Sequence, residues 1–156
     1  MITDTLIRLA TQADAADIAA MSRDFIEHGL PWSWREGRIV RAIRDPDTNV
    51  AVAVDRRTLI AFGIMSYADR DAHLLLFAVR PSHRRRGVGS AVLHWLETVA
   101  RNLGNQRIHV ECRRNNVAAR NFYAELGYHE RVISRGRYLG IEDGIRLEKW
   151  LPTGAG

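Results

Sequence analysis

One run of residues, Val79-Arg80-Pro81-Ser82-His83-Arg84-Arg85-Arg86-Gly87-Val88-Gly89-Ser90, carries the strongest chemical signal in the chain. An apolar strand ends, Pro81 turns the backbone, and a helix starts at a glycine-flanked loop. The first turn of a helix presents backbone N–H groups without intrahelical partners, at the positive end of the helix dipole. Gly87 and Gly89 have no Cβ, so a phosphate could approach those N–H groups closely. Arg84, Arg85 and Arg86 could meet further phosphate charge. The run therefore suits a diphosphate. A dinucleotide fingerprint would need Gly or Ala where Val92 stands, and a P-loop would need G-x-x-x-x-G-K-[ST], which is absent. The bland alternative is a helix start that uses its glycines only to turn.

A second run, Glu111-Cys112-Arg113-Arg114-Asn115-Asn116 and then Val117 to Tyr128, reads as a strand passing into a helix. On the strand, period two puts Glu111 on one face with His109 and Arg113, and Ile108, Val110 and Cys112 on the other. A carboxylate on an interior strand needs a reason, and a salt bridge to Arg113 or another arginine is one. Asn116 suits a helix N-cap, and Tyr123 beside Phe122 could simply pack. The single cysteine, Cys112, reads as a buried small hydrophobe. Asp71 and His73 share a face at the start of an earlier strand and could deprotonate an amine. With Asp69 they would lack a fourth metal ligand, so no metal site is assigned.

These residues need a frame. Residues 2–9 alternate enough for a strand. Thr11 and Asp14 form a capping box for a helix through Ile18, Met21 and Phe25 to about Glu27. Gly29 and Pro31 stop it, and the loop to Trp34 carries Trp32 and Trp34. A second helix spans roughly 34–45. Strands at Val50–Asp55 and Leu59–Tyr67 flank a turn at Arg56-Arg57-Thr58. The strand His73–Arg80 is continuously apolar in its middle, which predicts burial on both faces. A helix over Gly87–Leu103 has the apolar face Val88, Val92, Trp95 or Leu96, Val99 and Leu103. Arg107–Arg113 is a strand, and Asn116–Leu126 is a helix closed by Gly127. Strands near 129–138 and 144–150 complete an α/β (α+β) domain.

The bulk composition narrows the function classes. The chain has 156 residues, 46% hydrophobic and 26% charged, enough for a single globular domain over 1–156. No apolar run approaches the ~20 residues that span a bilayer. The N-terminus does not read as a signal peptide, and one cysteine fits a reducing cytoplasm. The net charge of +5 invites a nucleic-acid reading. Against it, no basic stretch is interleaved with aromatics that stack bases, and Arg35, Arg38, Arg41 and Arg44 read as the solvated face of a helix.

Both runs, in this order and frame, resemble the two signatures of the GNAT acetyltransferases: the Arg84-x-x-Gly87-x-Gly89 loop and the strand and helix ending Tyr123-x-x-x-Gly127-Tyr128. The resemblance covers most of the chain and is most specific over 77–128. It implies a GNAT fold, with a central mixed, mostly antiparallel sheet of about seven strands and helices on both faces. It implies acetyl-CoA as co-substrate and a primary amine as acceptor, and leaves both monomer and homodimer open. In the family, Phe77, Ala78 and Val79 would pair with the pantetheine arm. Arg85, Arg86, Gly87, Val88, Gly89 and Ser90 would hold the pyrophosphate, with Arg84 beside them, and Asn116 would bond the cofactor arm. Tyr123 matches the acid that protonates the departing thiolate, a role a phenol of pKa ≈ 10 can fill. Glu111 matches the base of the ribosomal-protein N-terminal acetyltransferases.

The acceptor is less defined. Tyr138, within Gly136-Arg137-Tyr138-Leu139-Gly140-Ile141-Glu142-Asp143-Gly144, matches a tyrosine that those N-terminal acetyltransferases place beside the acceptor. They usually carry a second tyrosine where Leu139 stands, and alanine at Gly144. Trp32 and Trp34 sit where GNAT proteins build the acceptor wall, or pack in the core. An α-amine has pKa ≈ 7.7–8.0 against ≈ 10.4 for lysine, a gap of ~2.5 units or about 3.4 kcal/mol. An uncertain base is less of a problem for an α-amine, which tilts the reading toward a peptide N-terminus. A small amine such as a polyamine, antibiotic or metabolite is the alternative. A binding module that senses acyl-CoA without turnover is the third.

Overall fold

The computed structural model describes residues 5–84 and 86–152, so the start of the first predicted strand and Arg85 lie outside the described residues. The chain divides into two compact units, Met1–Ser66 with Leu75–Val99 and Tyr67–Leu74 with Ala100–Gly156.

In the first unit, β1 (Thr5–Leu9) pairs antiparallel with β2 (Thr48–Asp55), which pairs antiparallel with β3 (Thr58–Tyr67). Thr58 pairs with Asp55, so the turn is shorter than predicted. Arg56 and Arg57 take it at φ 48° and 72°, the left-handed conformation that two-residue hairpins require. The predicted capping pair is in place, with the Thr11 N–H donating to Asp14 Oδ2 at 2.8 Å. The helix expected behind it runs to Ile26, close to the predicted end, but it is not α throughout. A 3₁₀ turn (Gln12–Asp14) leads into α1 (Ala15–Met21), which gives way to a π-helical turn over Ser22–Ile26. There the Glu27 N–H donates to Ser22 O at 2.7 Å, and the Ser22 hydroxyl donates to Glu27 Oε2 at 2.8 Å. The second helix, α2 (Glu36–Arg44), starts later than predicted, because Glu27 also accepts from the Ser33 and Trp34 N–H groups and holds them in the loop.

The core of this unit gathers Ile18, Met21, Trp34, Ile39, Val52 and Phe62 with the second half of β4 (Asp71–Val79). Burial along β4 alternates: Ala72, Leu74, Leu76 and Ala78 are buried and the residues between them only half-buried, which corrects the prediction of two buried faces. The middle of β4 is apolar on a side that is not fully covered. Helix α3 (Val88–Asn102) buries Val88, Val92, Leu93, Leu96 and Ala100. Leu103, assigned to that face, is 60% exposed, because the helix ends at Asn102 and Gly104 turns the chain at φ +87°.

Gly63 lets α3 lie close on β3. A Cβ there would meet Leu96 Cδ1 at 2.7 Å, with Phe77 and Val92 at 3.4 and 3.5 Å closing the way out. Overpacking of this kind costs about 1–3 kcal/mol. Gly63→Ala is therefore expected to lower Tm by roughly 2–12 °C, taking 2–4 °C per kcal/mol for a chain of this size. An unchanged Tm in a calorimetric scan would show that Leu96 moves aside freely.

In the second unit, the start of β4 runs parallel to β5 (Arg107–Arg113), from Asp71↔Arg107 to Leu74↔Val110. That ladder stops well before β4 itself ends at Val79. β5 pairs antiparallel with β7 (Glu142–Trp150), and β7 with β6 (His129–Tyr138). Helix α4 (Val117–Glu125) ends before Gly127 at φ +93°. The seven strands lie in the order β1-β2-β3-β4-β5-β7-β6, a mixed sheet in an α/β chain. No helix among the described residues is long and apolar enough to cross a membrane.

Candidate active site

The glycine loop belongs to the first unit. The Arg80 N–H donates to Ile60 O at 2.8 Å and its Nε to Leu59 O at 2.7 Å, which anchors the chain as it leaves β4. A 3₁₀ turn over Pro81–His83 follows, and His83 Nε2 lies 3.3 Å from Asp55 Oδ2, pinning that turn to the end of β2. Arg84 Nε donates to Val79 O at 3.2 Å, and Gly87 turns at φ +78°. The first helical bond of α3 runs from the Ala91 N–H to Gly87 O at 3.0 Å. The N–H groups of Val88, Gly89 and Ser90 precede it and are those that helix geometry leaves for an anion. Arg84 and Arg86 are exposed beside them. Phe77 and Val79 are half-buried and Ala78 buried.

The Trp32–Trp34 loop of the same unit is a locked structure. Glu27 is almost fully buried, and its carboxylate accepts from Ser22 Oγ, Ser33 N and Oγ, and Trp34 N. Burial alone would raise its pKa, but those donors outweigh burial and hold it below the usual carboxylate value. Trp34 is buried beneath the Arg38 guanidinium, whose Cζ is 3.7 Å from the indole centroid. That packs Trp34 in the core. Trp32 is half-buried, with Nε1 donating to Ala19 O at 3.2 Å and with Arg35 and Arg23 over the ring at 4.5 and 5.3 Å.

In the second unit, the predicted bases are occupied. Asp71 is held by Arg107 through Nη2 at 2.8 Å and Nε at 3.2 Å, and that pairing keeps its carboxyl below the ordinary range. His73 stacks on His109 with centroids 4.2 Å apart and planes at 22°. Burial, then the charges of His109, Arg146 and Arg137, pushes His73 down to about 4. Both assignments as a ready base are corrected on this ground: Asp71 is ion-paired and weakly basic, and His73 stays neutral at pH 7 yet takes up a proton poorly.

Depression of the His73 pKa has a consequence for stability. Between 6.5 and about 4 the unfolded chain takes up a proton at this position that the folded protein resists. Stability is therefore complete above pH 6.5 and falls as the pH drops toward 4. Urea unfolding is expected to show a lower midpoint at pH 5 than at pH 7, with a smaller difference in His73→Gln. Equal midpoints at the two pH values would contradict the burial of this ring.

Glu111 forms an ion pair with Arg137, while Arg113, its first expected partner, faces Glu142 at 3.7 Å. β5 and β7 put Arg113 opposite Gly144, at the end where Glu142 lies, and put Arg146 opposite Glu111, but Arg146 pairs with Glu148 instead. The Oε2 of Glu111 is buried with no donor aligned for a hydrogen bond among the described residues. The Tyr138 ring lies 5.8 Å from Arg113 Cζ, and burial followed by the Glu111 charge raises the pKa of its hydroxyl. Sequence reasoning missed Arg137, although it stands next to Tyr138 in the quoted segment. It also missed His109 as the stacking partner of His73, although both lie in register on neighbouring strands.

Asn116 is the N-cap of α4, its side chain accepting from the Ala119 N–H at 3.1 Å. Tyr123 is 5% exposed and meets Phe122 and Tyr128 edge-on at 5.4 and 5.6 Å. Burial, with Cys112 and Tyr138 adding, raises its pKa, so the phenol keeps its proton at any ordinary pH. Cys112 is half-buried and pushed up to about 11 by burial, as suits an inert thiol. Among the described residues no group of three or more His, Cys, Asp or Glu could hold a metal ion.

Comparison with known proteins agrees with this architecture. The [ribosomal protein bS18]-alanine N-acetyltransferase of Salmonella typhimurium is 32% identical over 121 residues, 76% of this chain and 80% of that protein. An uncharacterized N-acetyltransferase of Methanocaldococcus jannaschii is 36% identical over 87 residues, 55% of this chain, and the match spans a little over half, 56%, of that relative. The crystal structure of the ribosomal-protein-S18-alanine N-acetyltransferase of Escherichia coli superposes with a TM-score of 0.80 at 27% identity, covering 97% of this chain and 96% of that one. Residues 16–128 match the profile described as Acetyltransferase (GNAT) family. With that match over most of its length, the two signature runs and the mixed seven-stranded sheet, the chain belongs to the GNAT acetyltransferase family.

Proposed function

We propose that this protein transfers the acetyl group of acetyl-CoA to the α-amine at a peptide N-terminus. The observation that carries the reading is the Glu111–Arg137 ion pair. That pair engages the carboxylate with a guanidinium, and Asp71 and His73 are weak bases. An acceptor that is already partly neutral needs least help from them. Near pH 7.5 roughly a third of α-amines are neutral, against about one lysine side chain in a thousand. The likeness to alanine N-acetyltransferases points the same way.

Acetyl-CoA supplies the thioester carbon that the amine attacks. Arg84, Arg86, Gly87, Val88, Gly89 and Ser90 suit its pyrophosphate, and Arg85 belongs to the same loop in sequence. Phe77, Ala78 and Val79, beyond the end of the β4–β5 ladder, would pair with the pantetheine amides. Asn116 is already spent as a helix cap through one oxygen, and its side-chain NH₂ remains for the arm. Tyr123 holds a proton at Oη for the departing thiolate. Glu111 receives the proton of the amine, and Tyr138 flanks the acceptor.

The test is thiol release from acetyl-CoA with short peptides of different N-termini, polyamines and aminoglycosides. Turnover of the peptides supports the reading. Turnover confined to a small amine would move the assignment to that class. Tight CoA binding without turnover of any acceptor would favour an acyl-CoA sensor.

A further inference from the structure

Arg137 reaches Glu111 across an intervening strand, entirely within the second unit. β7 lies between β6 and β5 in the sheet, so a side chain leaving β6 must pass over β7 to meet a carboxylate on β5. Two local features open that route. Ser134 pairs with Gly144 and Tyr138 with Glu142, so residues 135–137 of β6 stand against Asp143 alone. Extra residues in a strand re-aim the side chains they carry. The Gly136 N–H donates to Asp143 Oδ1 at 2.9 Å and the Gly140 N–H to Gly136 O at 2.9 Å, which fixes the backbone just before Arg137. The second feature is Gly144. A Cβ there would lie 3.3 Å from Arg137 Cδ and 3.4 Å from Arg137 Cβ, so the arginine crosses β7 at its glycine. The φ of Gly144 is not in the left-handed region, so the backbone itself does not ask for a glycine.

The arginines nearer to Glu111 are engaged elsewhere, Arg113 facing Glu142 at 3.7 Å and Arg146 donating to Glu148 at 3.0 Å. Glu111 Oε2 has no donor aligned for a hydrogen bond among the described residues, so its contact with Arg137 is one of charge, with no directional bond to break.

We propose that Arg137 is a latch on Glu111: it covers the carboxylate in the free protein and is displaced by the ammonium of the acceptor. This rests on the reading of Glu111 as the base and adds a positioning residue to it. The acceptor brings a cation to an anion that already holds one, so the two compete. The arginine side chain is half exposed and free to swing outward, after which Glu111 faces the amine. A protein whose competent state is only partly populated binds its ligand more weakly by that fraction. Removing the latch therefore lowers the KM of the acceptor and leaves kcat at saturation unchanged, whereas loss of a merely structural arginine would raise KM or lower kcat.

The experiment measures both constants for a hexapeptide with N-terminal alanine at saturating acetyl-CoA. Arg137→Gln is expected to lower the KM about 5-fold, near the most that a half-exposed ion pair sustains, with kcat within about 2-fold of wild type. A second measurement follows the Arg137 Nε–H resonance by NMR in the CoA-bound protein. Adding the peptide should move it to the position it has in Glu111→Gln. A KM unchanged or raised in Arg137→Gln, while Glu111→Gln is inactive, would overturn the latch and leave the base reading standing. A lower KM without movement of the resonance would reflect only the lost positive charge, and would overturn the latch as well. A fully active Glu111→Gln would remove the base reading, and the latch with it.

Discussion

Replacing Gly89 with valine is expected to abolish acetyl-CoA binding while leaving the protein folded. Gly89 lies in the first turn of α3, is buried, and is absent from the positive-φ glycines, so its backbone conformation is one that a side chain tolerates. Its lack of a Cβ thus serves something other than the turn. The N–H groups of Val88, Gly89 and Ser90 precede the first helical bond, and a branched side chain among them would occupy the volume a phosphate needs. Losing those charge-assisted contacts should raise the Kd for acetyl-CoA at least about 100-fold, roughly 2.8 kcal/mol. Calorimetric titration with CoA reads this directly, and a circular-dichroism melt checks the fold. Gly89→Ala, adding one methyl, should fall between the two. Wild-type affinity in the valine variant would remove the loop from the pyrophosphate role.

What the sequence revealed and what it hid divide along a physical line. The glycine loop, the Asn116 cap, the β5 strand and the turn after α4 are local signals, written in residues a few positions apart, and each is found where it was expected. Alternation along β5 also separated Glu111 from Val110 correctly. Pairings between distant residues were not legible. Glu111 and Arg137 meet only because β6 and β5 both flank β7, an order no periodicity encodes. The first helix reaches about as far as expected, but its last turn widens to a π-helix, and the Glu27 carboxylate that ties Ser22 to Ser33 joins residues no local pattern connects. The α2 arginines were assigned to the right element, yet their direction depends on two tryptophans that precede the helix. The weakness of Asp71 as a base follows likewise from Arg107 on the neighbouring strand, and that of His73 from burial first and nearby positive charge second.

Tyr123→Phe is expected to lower kcat by about 100-fold or more, within the range of a positioned general acid, and to leave acetyl-CoA affinity nearly unchanged. Tyr123 is suited to donate because burial keeps it protonated, and a departing CoA thiolate needs a proton as it forms. Removing one oxygen keeps the ring, so its edge-on contacts with Phe122 and Tyr128 survive. The effect should therefore fall on turnover, with Tm and the CoA titration close to wild type. A second readout separates chemistry from packing. The raised pKa means that Tyr123 loses no proton in the assay range, so the wild-type rate should show no alkaline decline from this group. In the phenylalanine variant the thiolate must leave unprotonated. Acyl donors with a more acidic thiol should then recover much of the lost rate, while the wild type gains little. Unchanged turnover in Tyr123→Phe would take this residue out of the acid role and leave it as part of the core.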